Sequence, residues 1–109
     1  MARRIEHRVA GGDVNPYLAL AAILGAALVG IEDEIQPSAP ITGNAYDLDL
    51  PEIPGSWQEA IDAFDQSDMI KRIFEPDIIQ NMLMTKRQEL RYMAELSKPE
   101  QVEIYLDTV

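Results

Sequence analysis

At 109 residues, with 9 Lys plus Arg against 19 Asp plus Glu and 47% apolar residues, the chain describes one small folded domain or a piece of a larger one. A formal charge of −10 argues against a nucleic-acid partner, and the lack of cysteine excludes disulfides, thiolate metal sites and cysteine nucleophiles while leaning to a cytoplasmic location. A chain of this size buries about two-thirds of its unfolded surface, enough for a modest core but not for a two-domain enzyme.

Residues 3 to 9, Arg-Arg-Ile-Glu-His-Arg-Val, alternate with period two. A short strand is predicted there, with Arg4, Glu6 and Arg8 on one face and Ile5, His7 and Val9 on the other. Gly11, Gly12 and Asp13 break it, and Asn15 followed by Pro16 starts a helix predicted to run to about Ile35. That helix is apolar on nearly every side, the pattern of a helix buried among other elements. Gly25 and Gly30 each cost roughly 1 kcal/mol relative to Ala, so both read as points where a neighbouring backbone comes close. The apolar run from Tyr17 to Ile31 is shorter than the ~18 to 20 residues of a membrane span and ends at Glu32, Asp33 and Glu34, so neither a membrane segment nor a targeting segment is expected.

From Gln36 to Gly55 the chain holds Pro37, Pro40, Pro51 and Pro54 with Gly43-Asn44, a long irregular connection of the kind that is functional, packed on a partner or mobile. Ser56 and Glu59 form a capping box ahead of a helix from Trp57 to about Gln66, whose apolar stripe is Trp57, Ala60, Ile61 and Phe64. Ser67 caps a short helix over Asp68 to Phe74. Pro76 opens a longer one through about Leu96, with Ile79, Met82, Leu83, Lys86, Leu90 and Met93 near helical spacing. Ser97 and Glu100 read as a second capping box, starting a last helix through about Asp107 with Val102, Tyr105 and Leu106 inward. The fold class is therefore mostly α, with one short N-terminal strand and a long Pro-rich loop. Between residues 31 and 68 there are ten acids and no Lys or Arg, which marks either a solvated face or a docking surface for a basic partner.

The compact cluster of reactive side chains is Arg4, Glu6 and Arg8. A carboxylate between two guanidinium groups suits a divalent cation with phosphate or carboxylate oxygens around it, but equally describes a surface ion pair worth about 0 to 1 kcal/mol. His7 has no second His or Cys to join it in a metal site, and Met82, Met84 and Met93 read as core filler. No Gly-rich phosphate loop with a Lys, nucleophile elbow or dinucleotide fingerprint occurs.

The stretch Arg3-Arg4-Ile5-Glu6-His7-Arg8, then Gly12-Asp13-Val14-Asn15-Pro16-Tyr17-Leu18, then the Ala-rich helix ending Gly30-Ile31-Glu32, closely resembles the C-terminal part of the glutamine synthetase family. Gly43-Asn44-Ala45-Tyr46, the Leu50-Pro51 turn, Trp57-Gln58-Glu59-Ala60 before Phe64 and the closing Glu103-Ile104-Tyr105-Leu106 continue the likeness in order. The variant His7-Arg8-Val9-Ala10-Gly11-Gly12 and the Gly-Asn-Ala-Tyr segment look most similar to the branch that joins glutamate to polyamines such as putrescine, or to other amines.

The resemblance implies one partial domain from the helical C-terminal part of such a catalytic domain: active-site strand and turn over 1–13, buried helix over 14–35, loop over 36–55 and helical tail over 56–109. It implies ATP with Mg2+ or Mn2+ as cofactors, and glutamate with an amine as substrates. Glutamate is activated as a γ-glutamyl phosphate, from which the amine displaces phosphate. Glu6 would be one ligand of the metal nearer the ATP phosphates. Arg8 would hold the transferring phosphate and the glutamate carboxylate, and Arg4 would line the nucleotide side. Because the family's enzymes are several times longer, the expectation is a C-terminal fragment that binds no cofactor and catalyses nothing alone. Helix 1 needs more apolar neighbours than so short a chain offers, so a homo-oligomer is expected. The alternative is a small acidic helical interaction protein that self-associates or pairs with a longer synthetase-like chain.

Overall fold

Caps written into the sequence decide where the helices start. The computed structural model describes residues 6–106, and among these lie five α-helices: α1 (Pro16–Glu32), α2 (Trp57–Gln66), α3 (Asp68–Ile73), α4 (Pro76–Ala94) and α5 (Lys98–Leu106). The Asn15 side-chain oxygen accepts from the backbone N–H groups of Tyr17 at 3.0 Å and Leu18 at 3.2 Å, with Pro16 filling the first helical position. Ser56 and Glu59 close the expected capping box at the start of α2. Ser67 ends α2 and caps α3, accepting from Ile70 N–H. At α5 the Glu100 carboxylate accepts from both the backbone N–H and the hydroxyl of Ser97, at 2.8 and 2.6 Å, and these bonds lower its pKa.

The core is built by α2, α3 and α4. Ile61, Phe74, Ile79 and Leu83 are buried together, with Trp57, Phe64, Ile70, Ile73 and Leu90 around them, and α1 reaches this cluster through Leu18 and Ala22. Fully burying such side chains contributes about 1.5 to 3 kcal/mol each. α1 lies chiefly on α3, where Ile73 sits against Gly25, and α2 lies on α4. Across the α1–α3 contact Arg72 grips the end of α1, donating to Asp33 at 2.6 and 3.1 Å and to Glu32 at 3.1 Å. Its guanidinium holds the Asp33 carboxyl below the usual carboxylate range. The radius of gyration is 16.9 Å, against roughly 13 Å for a compact domain of this length. The excess reflects the residues from Ile31 to Ser56, every one of them exposed.

The helical architecture matches the sequence-based expectation, and several particulars differ. Glu6 to Val9 form no strand among the described residues, and Arg4, with the rest of the expected strand, lies outside them. A strand exists only where a second strand takes its hydrogen bonds, and no such ladder is supplied here. α1 stops at Glu32 instead of Ile35. Glu34 adopts φ of 51°, and the N–H groups of Ile35 and Glu34 bond back to the carbonyls of Gly30 and Ile31 at 2.9 and 3.2 Å, a Schellman closure without glycine. Nor is α1 buried in this chain: Val29 alone on it is buried, while Leu24 is 68% and Tyr17 84% exposed. One short neighbouring helix covers only one of its sides. Gly25 does mark a close approach, to the Ile73 side chain, whereas a Cβ at Gly30 would meet nothing within 4 Å. In α5 the inward residues are Gln101, Ile104 and Tyr105, and Val102 and Leu106 face solvent. The Gln101 amide sets that rotation by donating to the carbonyls of Met93 and Leu96. Inside the Pro-rich loop, Asn44 caps a single 3-10 turn, Ala45–Asp47, following Gly43 at φ of 97°.

Candidate functional site

The segment before α1 runs beside the α1–α3 contact, and the alternation read from the sequence survives there without a sheet. His7 and Val9, with Ala10 and Val14, line an apolar groove of about 450 Å³ whose other wall is α1 and α3, through residues such as Ala22, Ile23 and Ile73. Glu6 and Arg8 belong to the other side. Arg8 Nε donates to Glu6 Oε1 at 2.6 Å, and the same carboxylate oxygen is in contact with the second guanidinium nitrogen. The pair is open to water, with the Arg8 side chain 83% and that of Glu6 49% exposed. Of the three residues expected in the site, the structure brings these two together, and Arg4 falls outside the described residues.

The donor set can be weighed against the cation it was expected to serve. Mg2+ holds close to six oxygens in near-octahedral order, commonly one or two of them carboxylate. Among the described residues no group of three or more His, Asp or Glu is placed to hold a metal ion, and Glu6 shares its carboxylate with Arg8. The described residues therefore do not by themselves make a complete metal site. What Glu6 and Arg8 can offer is one hard anionic oxygen and one planar donor fork suited to phosphate or carboxylate.

A second polar cluster was missed by the sequence reading. Lys86 on α4 lies 5.8 Å from the centre of the Trp57 ring and donates to Glu89 at 2.8 Å, and the Tyr105 hydroxyl donates to the other oxygen of Glu89 at 2.5 Å. With Asp13 these residues border an open hollow. Lys86 and then Tyr105 hold the Glu89 carboxyl below its usual range, while the hydrogen bond to Glu89, helped by burial, pushes the Tyr105 phenol up to about 12. Both shifts move the titrations further from pH 7, holding Glu89 as the carboxylate and Tyr105 as the neutral phenol, so neither exchanges a proton readily there, and the cluster reads as the clasp of α5 on α4 instead of an acid–base site. The signal available in sequence was the Lys86–Glu89 pair at i, i+3.

The acid-rich block is partly neutralised from within. Besides Arg72 on Glu32 and Asp33, Arg87 donates to Asp65 at 2.6 Å and Lys71 to Asp68 at 2.8 Å. No helix among the described residues is long and apolar enough to cross a membrane.

Residues 1–105 match the family described as glutamine synthetase, catalytic domain. The chain is 38% identical to a glutamine synthetase of Aquifex aeolicus, across 97% of this chain and 24% of that protein. It is 38% identical to the gamma-glutamylethanolamide synthetase of Streptomyces coelicolor, across 80% of this chain and 19% of the relative, and 35% identical to a glutamate–isopropylamine ligase of a Pseudomonas species, across 99% and 24%. The chain thus spans about a quarter or less of the length of these relatives. No solved structure matches it.

Proposed function

Because the chain belongs to the glutamine synthetase catalytic-domain family, we propose that it serves as the C-terminal helical part of an ATP-dependent glutamate–amine ligase, a single partial domain that completes an active site built mostly by other residues. Glu6 supplies one oxygen ligand to a Mg2+ or Mn2+ ion beside the ATP phosphates. Arg8 binds the transferring phosphoryl group and the glutamate carboxylate, where its fixed charge stabilises the charge that grows in the transition state. Arg4 takes the nucleotide side. The observation that carries this reading is the family match running from residue 1 through 105, which includes the Arg-x-Glu-x-Arg segment. An amine in place of ammonia is the proposed acceptor, on the His7-to-Gly12 and Gly43-to-Tyr46 segments. The naming of two relatives for ethanolamide and isopropylamine chemistry is in keeping with that choice.

Alone, the chain is expected to turn nothing over and to bind neither ATP nor metal, since one shared carboxylate cannot organise phosphoryl transfer. The test is a chimera in which residues 1–105 replace the matching segment of the Aquifex aeolicus enzyme. Glutamate- and amine-dependent phosphate release should persist and fall at least 100-fold in Glu6→Ala and Arg8→Ala. Unchanged turnover in both variants would sink the site assignment, and turnover by the 109-residue chain alone would sink the claim of dependence.

One observation favours a second reading, that the chain is an acidic helical interaction protein. The outward face of α1 is a continuous apolar surface, with Leu20, Leu24, Leu28 and Ile31 each more than half exposed. On that reading the chain self-associates, or pairs with a longer synthetase-like chain.

A further inference from the structure

Glu32 and Asp33 stand at the end of α1, and no Lys or Arg follows them until Lys71 and Arg72. Lys71 stays on its own helix, bonded to Asp68. Arg72 reaches back to α1, setting its two terminal nitrogens on the two oxygens of Asp33 at 2.6 and 3.1 Å and one of them on Glu32 at 3.1 Å. A planar fork on a carboxylate fixes direction as well as distance. This grip closes the C-terminal end of α1 on α3, and Gly25 against Ile73 holds its middle. At the N-terminal end Asn15 caps the helix, the Val14 N–H donates to the Gly11 carbonyl at 3.4 Å, and His7 and Val9 line the groove with Ala22, Ile23 and Ile73. The segment that carries Glu6 and Arg8 is thus seated on α1 and α3 together. All of these contacts lie within the chain, so they do not depend on what lies against the opposite face of α1.

We propose that Arg72 is a positioning residue for the active-site segment: by clamping Glu32 and Asp33 to α3 it sets the tilt of α1, and with it the place where Glu6 and Arg8 stand. The proposal rests on the reading of Glu6 and Arg8 as site residues, and adds what holds them there. α1 acts as a lever about the contact of Gly25 with Ile73. Glu32 lies seven residues beyond Gly25 and Asn15 ten before it, about 10 and 15 Å at the ordinary helical rise. A tilt that moves Glu32 by about 1 Å therefore carries Asn15, and the turn leading back to Arg8, about 1.5 Å the other way. Misplacement by about 1 Å costs a well-oriented reaction roughly 100-fold. Leu18 and Ala22 rest on the core between the pivot and the site and oppose the tilt, so the expected loss is about 10-fold.

The chain has no cysteine, so spin labels on Gly12→Cys, where a Cβ meets nothing within 4 Å, and on Met84→Cys, 64% exposed on α4, report the distance from the turn to the core. Arg72→Met should shift or broaden that distance by about 1.5 Å with the far-ultraviolet helix signal retained. In the chimera with the Aquifex aeolicus enzyme, Arg72→Met should lower kcat about 10-fold and raise the glutamate KM roughly 3-fold or more, because Arg8 then meets the glutamate carboxylate out of line. A smaller folded fraction lowers kcat alone. Asp33→Asn added to Arg72→Met should cost nothing further, since the bond is already gone. If Arg72→Met unfolds the chain, Asp33→Asn by itself weakens the grip from the α1 side and carries both measurements. An unchanged label distance overturns the clamp. A shifted distance with unchanged kcat and KM, in a chimera that Glu6→Ala still silences, overturns the positioning role alone. Additive losses in the double variant overturn the route through Asp33. Indifference of the chimera to both Glu6→Ala and Arg8→Ala overturns the site reading and this proposal with it.

Discussion

Two glycine-to-alanine substitutions five residues apart on α1 should move stability in opposite directions. At either position Ala is the better helix former by about 0.8 to 1.0 kcal/mol, somewhat less at Gly30 because it lies in the last turn. At Gly25 the new methyl would stand 2.5 Å from Cγ2, 2.9 Å from Cγ1 and 3.2 Å from Cβ of Ile73. Ile73 has nearly one χ1 choice in a helix, so it cannot swing both branches clear, and its Cβ is fixed to the backbone of α3. The helices must part, and overpacking of this kind costs about 1 to 3 kcal/mol. Gly25→Ala is therefore expected to destabilise by about 0 to 2 kcal/mol, while Gly30→Ala, which opens into free space, stabilises by up to about 1. The propensity gain is common to both, so the difference between them isolates the α1–α3 contact. Urea melts followed by circular dichroism at fixed chain concentration would measure it. In a double-mutant cycle Ile73→Ala should remove the clash and couple to Gly25→Ala by about 1 to 2 kcal/mol. Equal stabilisation by the two alanines, or no coupling, would show that α1 does not pack on α3 through Gly25.

Glu34→Gly should raise stability by about 0.5 to 1 kcal/mol in a thermal melt, since Glu34 holds a left-handed conformation that costs an L-residue roughly 1 to 2 and the added freedom of glycine in the unfolded chain returns only part of it. Leu83, at 2% exposure the most buried side chain in the core, should cost about 2 to 4 kcal/mol as Leu83→Ala, a large share of the ~5 to 15 of an ordinary domain and enough to broaden or abolish a cooperative urea transition. Tyr105→Phe should cost about 1 kcal/mol at pH 7 and flatten both limbs of a pH series of urea midpoints. The phenol is raised to about 12 by Glu89, so its contribution is whole below pH 10 and disappears as pH climbs through 12; Glu89 is lowered, by Lys86 first and Tyr105 second, so its contribution is whole above about pH 4.5 and fades as pH falls further. Identical pH curves for the wild type and Tyr105→Phe would refute the clasp.

Helix starts were legible because they are local chemistry. Asn15-Pro16, Ser56 with Glu59, Ser67 and Pro76 each act within four residues of themselves. The end of α1 was not, since a Glu in the left-handed position leaves no mark in the sequence where a glycine would have. The inward face of α5 was misread for a related reason: Gln101 donates to carbonyls five and eight residues earlier, and a polar side chain that turns a helix through such bonds is invisible to hydrophobic periodicity. The all-round apolar character of α1 reads as a helix buried among other elements, whereas within this chain Val29 alone on it is buried, because pattern alone cannot say whether a helix's neighbours lie in the same chain. At the candidate site, alternation placed Glu6 with Arg8 and His7 with Val9, as the structure has them. The Trp57–Lys86–Glu89–Tyr105 cluster draws on three helices, so no single window of sequence contains it.

The order in which the molecule assembles follows from where the exposed stretch between α1 and α2 lies. The α2–α4 core joins elements separated only by the short helix α3, so its contacts close over a short span of chain and are expected to form early. Docking α1 on α3 instead closes a loop of several tens of residues, few of which gain burial in return, and the entropy of that closure is borne by one interface and the Arg72 bridge. Relative to the α2–α4 core, α1 is therefore expected to dock later and open sooner, in a sub-global opening that hydrogen exchange would register as faster exchange of its amides than of the core's.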